Sequence, residues 1–161
     1  MGLLRLWLSP VFVAVLWMHF SPLATVFCDS GKAIVTNRIK GAGAEPLYVS
    51  WGTGAGTAAA GDTTLFAEAR SSATSGGNVV RVSGTSTRQQ TTVANDTYQV
   101  QGTLTAEAGK TVTNAGLFDT DGAAVSPGPP SGGNLLMKGD FTGIALNAND
   151  SIALTMKLAF T

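Results

Sequence analysis

The chain has 161 residues, with ten basic and ten acidic side chains and therefore no formal net charge. That length fits one domain with a terminal extension. The charges are scattered singly, without the basic stripe that nucleic acid requires, so no direct nucleic-acid partner is expected. Charged residues make up only 12% of the chain against 20 glycines, the profile of a Thr/Ser/Gly-rich β-protein whose polar but mostly uncharged surface suits interfaces. Cys28 is the only cysteine, so no internal disulfide forms and the redox compartment stays unspecified.

Residues 1–27 are apolar and carry Trp7, Trp17 and Phe20. Arg5, the apolar run 11–18 and then Ser21, Pro22, Leu23 and Ala24 imitate a secretory signal peptide. As a lipoprotein site Cys28 is poorly served, because bulky Phe27 stands where such cleavage sites prefer a small residue. The segment is long enough to cross a bilayer, but Arg5, Pro10, His19 and Pro22 interrupt it, so membrane insertion is left open rather than expected. It also reads as an apolar arm buried against another subunit, or as an upstream start that adds non-native residues. On any of these readings residues 1–32 stand apart from a β-domain over 33–161.

Residues 33–39 read as a first strand and 41–46 as a turn. In 47–51 the alternation puts Leu47, Val49 and Trp51 on one face. Trp51 is followed by Gly52, Gly54 and Gly56, which superficially suggest a phosphate-cradling loop. A dinucleotide fingerprint needs such glycines between a strand and a helix start, with an acidic residue further on. Here they lead only into 57–62, and no Gly-Lys-Ser/Thr follows. The better reading is a structural anchor of Trp51, Gly52 and Gly54, with Phe118, in which a large ring fills the end of a core while the backbone turns past it. No cofactor is expected.

Residues 65–70 suit a strand or a single helical turn, preceded by a turn or N-cap at 61–63. A polar loop over 71–78 leads to a short strand at 79–83, with Val80 and Val82 on one side, and 84–92 is too polar to assign. The run 97–106 alternates cleanly, with Tyr98, Val100, Gly102, Leu104 and Ala106 on one face, as a half-buried antiparallel strand does. Residues 107–110 then turn the chain and 111–119 return it, a predicted hairpin. The Pro- and Gly-rich stretch 120–134 reads as an exposed loop, with Asp121, Val125, Pro127, Pro129 and Pro130 as candidate interaction residues. A strand at 135–141 and a turn at 147–150 lead to the last strand, whose stripe of Ile152, Leu154, Met156, Leu158 and Phe160 must be covered by a second sheet or a neighbouring subunit. The predicted fold is all-β, an antiparallel and jelly-roll-like β-sandwich with an apolar N-terminal extension.

The only histidine and the only cysteine, His19 and Cys28, both lie in the N-terminal segment. The β-domain therefore has no Ser-His-Asp or Cys-His site and no Cys/His zinc site. Glu68, Glu107, Asp119 and Asp140 leave two-carboxylate glycan hydrolysis open by residue type alone, but each reads as an ordinary turn residue beside Gly, Thr or Asn, and no enzyme is expected. Asp119, Asp121 and Gly122 begin like a calcium loop that lacks its later ligands. Asn95-Asp-Thr97 and Asn149-Asp-Ser151 match glycosylation acceptors and read equally as Asx turns.

Several blocks carry a resemblance. They are Pro46-Leu-Tyr48 leading into Trp51-Gly-Thr-Gly54, Gly61-Asp-Thr63 with Leu65 and Glu68-Ala-Arg70, and Asn95-Asp-Thr-Tyr98-Gln-Val100. Further on come Asn114-Ala-Gly116-Leu-Phe118-Asp119, Asn134-Leu-Leu136, Gly139-Asp-Phe141-Thr-Gly-Ile144 and Asn149-Asp-Ser-Ile152. From about residue 34 to the C-terminus the chain resembles small β-rich structural proteins of tailed bacteriophages, of the tail-fibre-like or virion kind. The resemblance implies a virion location and an assembly role in a tail, neck, fibre or capsid-decorating position. The implied partners are other virion proteins and copies of itself. A different class of reading is an exported β-sandwich adhesion or carbohydrate-binding module that meets a host-surface glycan through the loop 120–134.

Overall fold

A computed structural model describes residues 25–71, 81–123 and 129–160. Two antiparallel sheets face each other across the main core. Sheet A runs in the order β1 (Thr25–Phe27), β8 (Leu135–Leu146), β7 (Lys110–Phe118), β2 (Tyr48–Gly52) and β3 (Glu68–Ala69), with β4 (Val82–Ser83) also on β2. Sheet B is β5 (Thr85–Gln89), β6 (Thr97–Thr105) and β9 (Ser151–Ala159). The fold is thus the expected antiparallel β-sandwich.

The core between the sheets takes Val49 and Trp51 from β2, Val112, Ala115 and Leu117 from β7, Val100 and Leu104 from β6, and Ile152, Leu154 and Met156 from β9. The stripe on the last strand is therefore covered within the chain, although Leu158 is half-buried and Phe160 stays 59% exposed. Burying one such side chain is worth about 1.5–3 kcal/mol before entropy.

The predicted strand at 33–39 is instead part of a helix, α1 (Asp29–Ile39). Its β-branched Ile34, Val35 and Thr36 mislead, because the end signals decide. Asp29 lies in the first turn. Gly41, at φ 82°, follows Lys40 and lets the amides of Gly41 and Ala42 bond back to Arg38 and Asn37, a Schellman ending. Gly31 lets the helix lie on β8, since a Cβ there would meet the Leu136 carbonyl. The expected boundary after residue 32 consequently falls inside α1, and residues 25–32 belong to the fold. Residues 1–24, with every reading placed on them, lie outside the described residues.

The predicted hairpin of 97–106 with 111–119 is also corrected. β6 pairs with β5 and β9, whereas β7 pairs with β2 and β8. The chain crosses between the sheets at 106–109, and β8 crosses back to β9 over 147–150. The two crossings are tied by Ala106 N–H to Asp150 O (2.8 Å) and Asn149 N–H to Ala106 O (2.6 Å). A turn motif between two apolar strands cannot distinguish pairing within one sheet from passage to the facing one.

Smaller differences follow from context. The choice left open at 65–70 resolves as the two-residue β3, entered through Ala67 at φ 46°. The unassigned stretch after Gly84 holds β5, whose polar residues need only one covered face. β8 runs on to Leu146 through a bulge opposite residues 112–114 of β7. In the predicted strand at 79–83, Val82 and Ser83 pair with β2, while Val80 lies outside the described residues.

Candidate interaction surface

Trp51 and Phe118 are fully buried. The Trp51 indole N–H donates to Arg70 O (3.1 Å), and the Lys110 ammonium lies 5.4 Å from its ring centroid. Gly52 and Gly54 belong to a packed cover rather than an open cradle: a Cβ at Gly52 would strike the Phe66 carbonyl and the Asn114 amide, and one at Gly54 would press on Phe66. The segment 53–67 folds back over the outer face of sheet A. Asn114 fastens it there, its Oδ1 accepting from Phe66 N–H (3.1 Å) and its Nδ2 donating to Gly54 O (3.1 Å) and Phe66 O (3.2 Å).

The same cover holds a buried cation. Lys138 has no exposed surface; its ammonium reaches Asp62 Oδ2 at 2.9 Å and lies 2.9 Å from the Phe66 centroid. Burial pushes the Asp62 carboxyl up, but the Lys138 hydrogen bond and charge and the Ala59 N–H outweigh it, and the net direction is down. Cys28, buried beside this group, has its thiol pushed up to about 11 by burial and then by the Asp62 charge, so it stays protonated at neutral pH.

The loop 120–134 divides. Asp121 and Pro129 are exposed, Pro130 is buried, and Val125 and Pro127 lie outside the described residues. Pro130 is therefore withdrawn as a contact residue: it packs at the loop base, where Ala123 and Ser131 form a bridge. The organiser of that base is Arg81, which the sequence reading missed. Its guanidinium bonds Glu68 at 2.8 and 3.2 Å, donates to Gly132 O (2.9 Å) and Thr120 O (3.3 Å), and stacks 3.4 Å from the Phe118 centroid. Glu68 in turn accepts from the Ser50 hydroxyl at 2.6 Å. An Arg and a Glu separated by a polar loop carry no signal that they meet under a third segment.

The four carboxylates weighed for hydrolysis are spread over separate tasks. Glu68 holds Arg81, Asp119 accepts from the backbone and side chain of Asn134 (2.7 and 2.8 Å), Asp140 accepts from Ala58 N–H, and Glu107 is exposed. Asp119 is thus committed to closing the loop rather than to starting a cation site. Among the described residues, no group of three or more His, Cys, Asp or Glu could hold a metal ion, and no helix is long and apolar enough to cross a membrane.

Among the described residues, two surfaces remain open. The outer face of sheet B presents Thr85 and Thr87 of β5, Gln101 and Thr103 of β6, and Ser151, Ala153, Thr155 and Lys157 of β9. Cross-strand bonds such as Gln101 Nε2 to Thr155 Oγ1 (3.1 Å) and Thr105 to Ser151 (2.8 Å) join them. The second surface is a groove of about 460 Å³ between α1 and the end of β9, with Val35, Ile39, Leu158 and Phe160 on its walls and Tyr98, Arg38 and Glu45 also lining it. Ile39 at 83% and Phe160 at 59% are among the most exposed large apolar residues described. The Tyr98 hydroxyl donates to Pro46 O (2.9 Å) and Glu45 (3.1 Å), and burial, followed by the Glu45 charge, pushes its pKa upward. No family model, curated protein or solved structure matches the chain.

Proposed function

We propose that the protein is a structural component of a bacteriophage virion, in a tail, neck, fibre or capsid-decorating position, and that it acts by protein–protein assembly and not by catalysis. The observation that carries this reading is the character of the open surface: a Thr/Gln/Ser face on sheet B with Lys157 as its one ionised side chain, beside an apolar rim at Ile39 and Phe160. Such a surface is inexpensive to desolvate against another protein, because few ionised groups must give up water. The resemblance of the sequence blocks to tailed-phage structural proteins points the same way, and the partners this reading assigns are other virion proteins and copies of this chain.

The test is mass spectrometry of purified intact particles, in which peptides from residues 25–160 are expected at a fixed ratio to the major virion protein. Absence of the chain from particles, with its recovery in an exported fraction of the producing cells, would overturn the reading in favour of an exported adhesion or carbohydrate-binding module.

A further inference from the structure

We infer that β9 is a self-complementary edge through which two copies of this chain join sheet B to sheet B, antiparallel and about a two-fold axis at Thr155. The inference deepens the self-assembly part of the reading above. Among the described residues, β9 pairs with β6 on one side and with no strand on the other.

The direction of its backbone groups follows from the ends of the ladder. Phe160 N–H donates to Asp96 O (2.9 Å), and Ala106 N–H donates to Asp150 O (2.8 Å). Both pairs lie in the register that joins Val100 to Met156 and Leu104 to Ile152. Antiparallel pairs alternate between hydrogen-bonded and non-bonded, so the even-numbered residues of β9 bond to β6. The N–H and C=O groups of Ser151, Ala153, Thr155, Lys157 and Ala159 therefore point away from the sheet at an open edge.

Such an edge is a template for another strand, and the sequence of β9 specifies which. Laid antiparallel on a second copy about Thr155, the outward groups meet in hydrogen-bonded pairs: Ser151 with Ala159, Ala153 with Lys157, and Thr155 with its counterpart. On the core side Ile152 meets Leu158 and Leu154 meets Met156, so the apolar layer runs on from one sandwich into the next and half-exposed Leu158 gains cover. On the outer side Ser151 faces Ala159 and Thr155 its counterpart, all uncharged. Lys157, the one ionised residue of β9, lies opposite Ala153 and not opposite its own copy. A lysine blunts an edge when pairing would bring like charges together; in this register it does not. A strand that complements itself about its own midpoint calls for an isologous two-fold dimer, in which both copies use the same patch.

The full chain is examined by native mass spectrometry and by sedimentation over a concentration series. A dimer is expected. Thr155→Pro removes an N–H that faces away from β6, a position where an edge strand tolerates proline. It is expected to weaken dimerisation by about tenfold or more, while circular dichroism and the thermal midpoint show a folded monomer. Ala153→Lys sets two lysine pairs against each other across the axis and is expected to weaken the dimer, whereas Ala153→Glu at the same exposed position sets two ion pairs and tightens it roughly threefold or more. These two also decide the matter if Thr155→Pro fails to fold. A chain that stays monomeric at about 100 μM, far above the Kd of a stable dimer, or a dimer indifferent to the sign of the charge at 153, would overturn the inference. Either result leaves the virion reading standing if particles contain the chain. A charge-sensitive dimer absent from particles would instead sink the virion reading and leave the edge in place.

Discussion

The inner strands of sheet A carry buried side chains on both faces, whereas β6 and β9 of sheet B alternate between a buried face and an exposed one. In sheet A the second face is covered by the segment 53–67 and the base of the loop after Asp119. Polar residues on that face are therefore shut away from water: Ser50, Asn114 and Lys138, with Glu68 and Arg81 beside them. Each buried polar group must find a partner within the chain, and each does, in Glu68 with Arg81, Asp62 with Lys138, and Asn114 with the backbone of Gly54 and Phe66. Apart from buried Thr97 and Gln99 in β6, sheet B leaves most of its Thr, Gln and Ser residues exposed. Sheet A thus gathers most of its polar contacts under a cover, whereas sheet B keeps its own at one end, around Asp96, and leaves the rest of its outer face exposed.

Substitutions sharpen that contrast. Trp51→Ala is expected to have the largest effect, a loss of about 3–5 kcal/mol in urea unfolding, on the scale of large aromatic truncations in a core. Glu68→Ala leaves the Arg81 guanidinium buried without its carboxylate. It should cost about 3–5 kcal/mol, with increased protease cleavage within 120–134, because Arg81 also holds that loop base. Replacing Glu68 and Arg81 together by apolar residues should cost much less than Glu68→Ala alone, since a buried pair is dearer to break than to remove.

Asn114→Ala should cost about 1–3 kcal/mol, the penalty for stranded buried amide groups. It should also speed hydrogen exchange over 53–67 more than over β6 and β9. An equal increase in both regions would break the distinction between a fastened cover and an independent second sheet.

A pH dependence is expected at the entry to sheet B. Burial pushes the Asp96 carboxyl up, but the N–H groups of Thr92, Val93 and Thr91 and the Thr97 hydroxyl more than offset it and hold the pKa at about 2. A carboxylate lowered on folding contributes stability that is present above its unfolded value of about 3.9 and is lost as pH falls towards the folded one. The thermal midpoint should therefore fall between about pH 4 and pH 2, and Asp96→Asn should flatten that slope. The smallest effect is expected at Thr103 on the exposed face of β6: Thr103→Ser should stay within about 0.5 kcal/mol of the parent. A loss there comparable to that of Asn114→Ala would mean that the face is covered within the folded chain.

β6 and β9 were legible because one-sided burial writes a period of two into the sequence, as in the run from Tyr98 to Ala106 and the stripe from Ile152 to Leu158, whereas polar β5 was not. Trp51 as a buried anchor was legible for a related reason: a large ring beside close-packed glycines has few places to go. Strand partners were not legible. β6 and β7 look like the arms of a hairpin, and only the facing of the two sheets sends them apart. The helix at Asp29–Ile39 was hidden by its own β-branched residues, although Gly41 marked its end.

By itself, then, the sequence determined an all-β chain with one-sided strands at 97–106 and 151–160 and a buried tryptophan, because periodicity and side-chain size act locally. Only the tertiary structure decided that Arg81 meets Glu68 beneath the loop after Asp119, that Lys138 is sealed under Phe66, and that β9 is left as an open edge. Those outcomes depend on which distant segments cover one another, and burial at a covered face changes what a polar or charged residue must do without changing the residue.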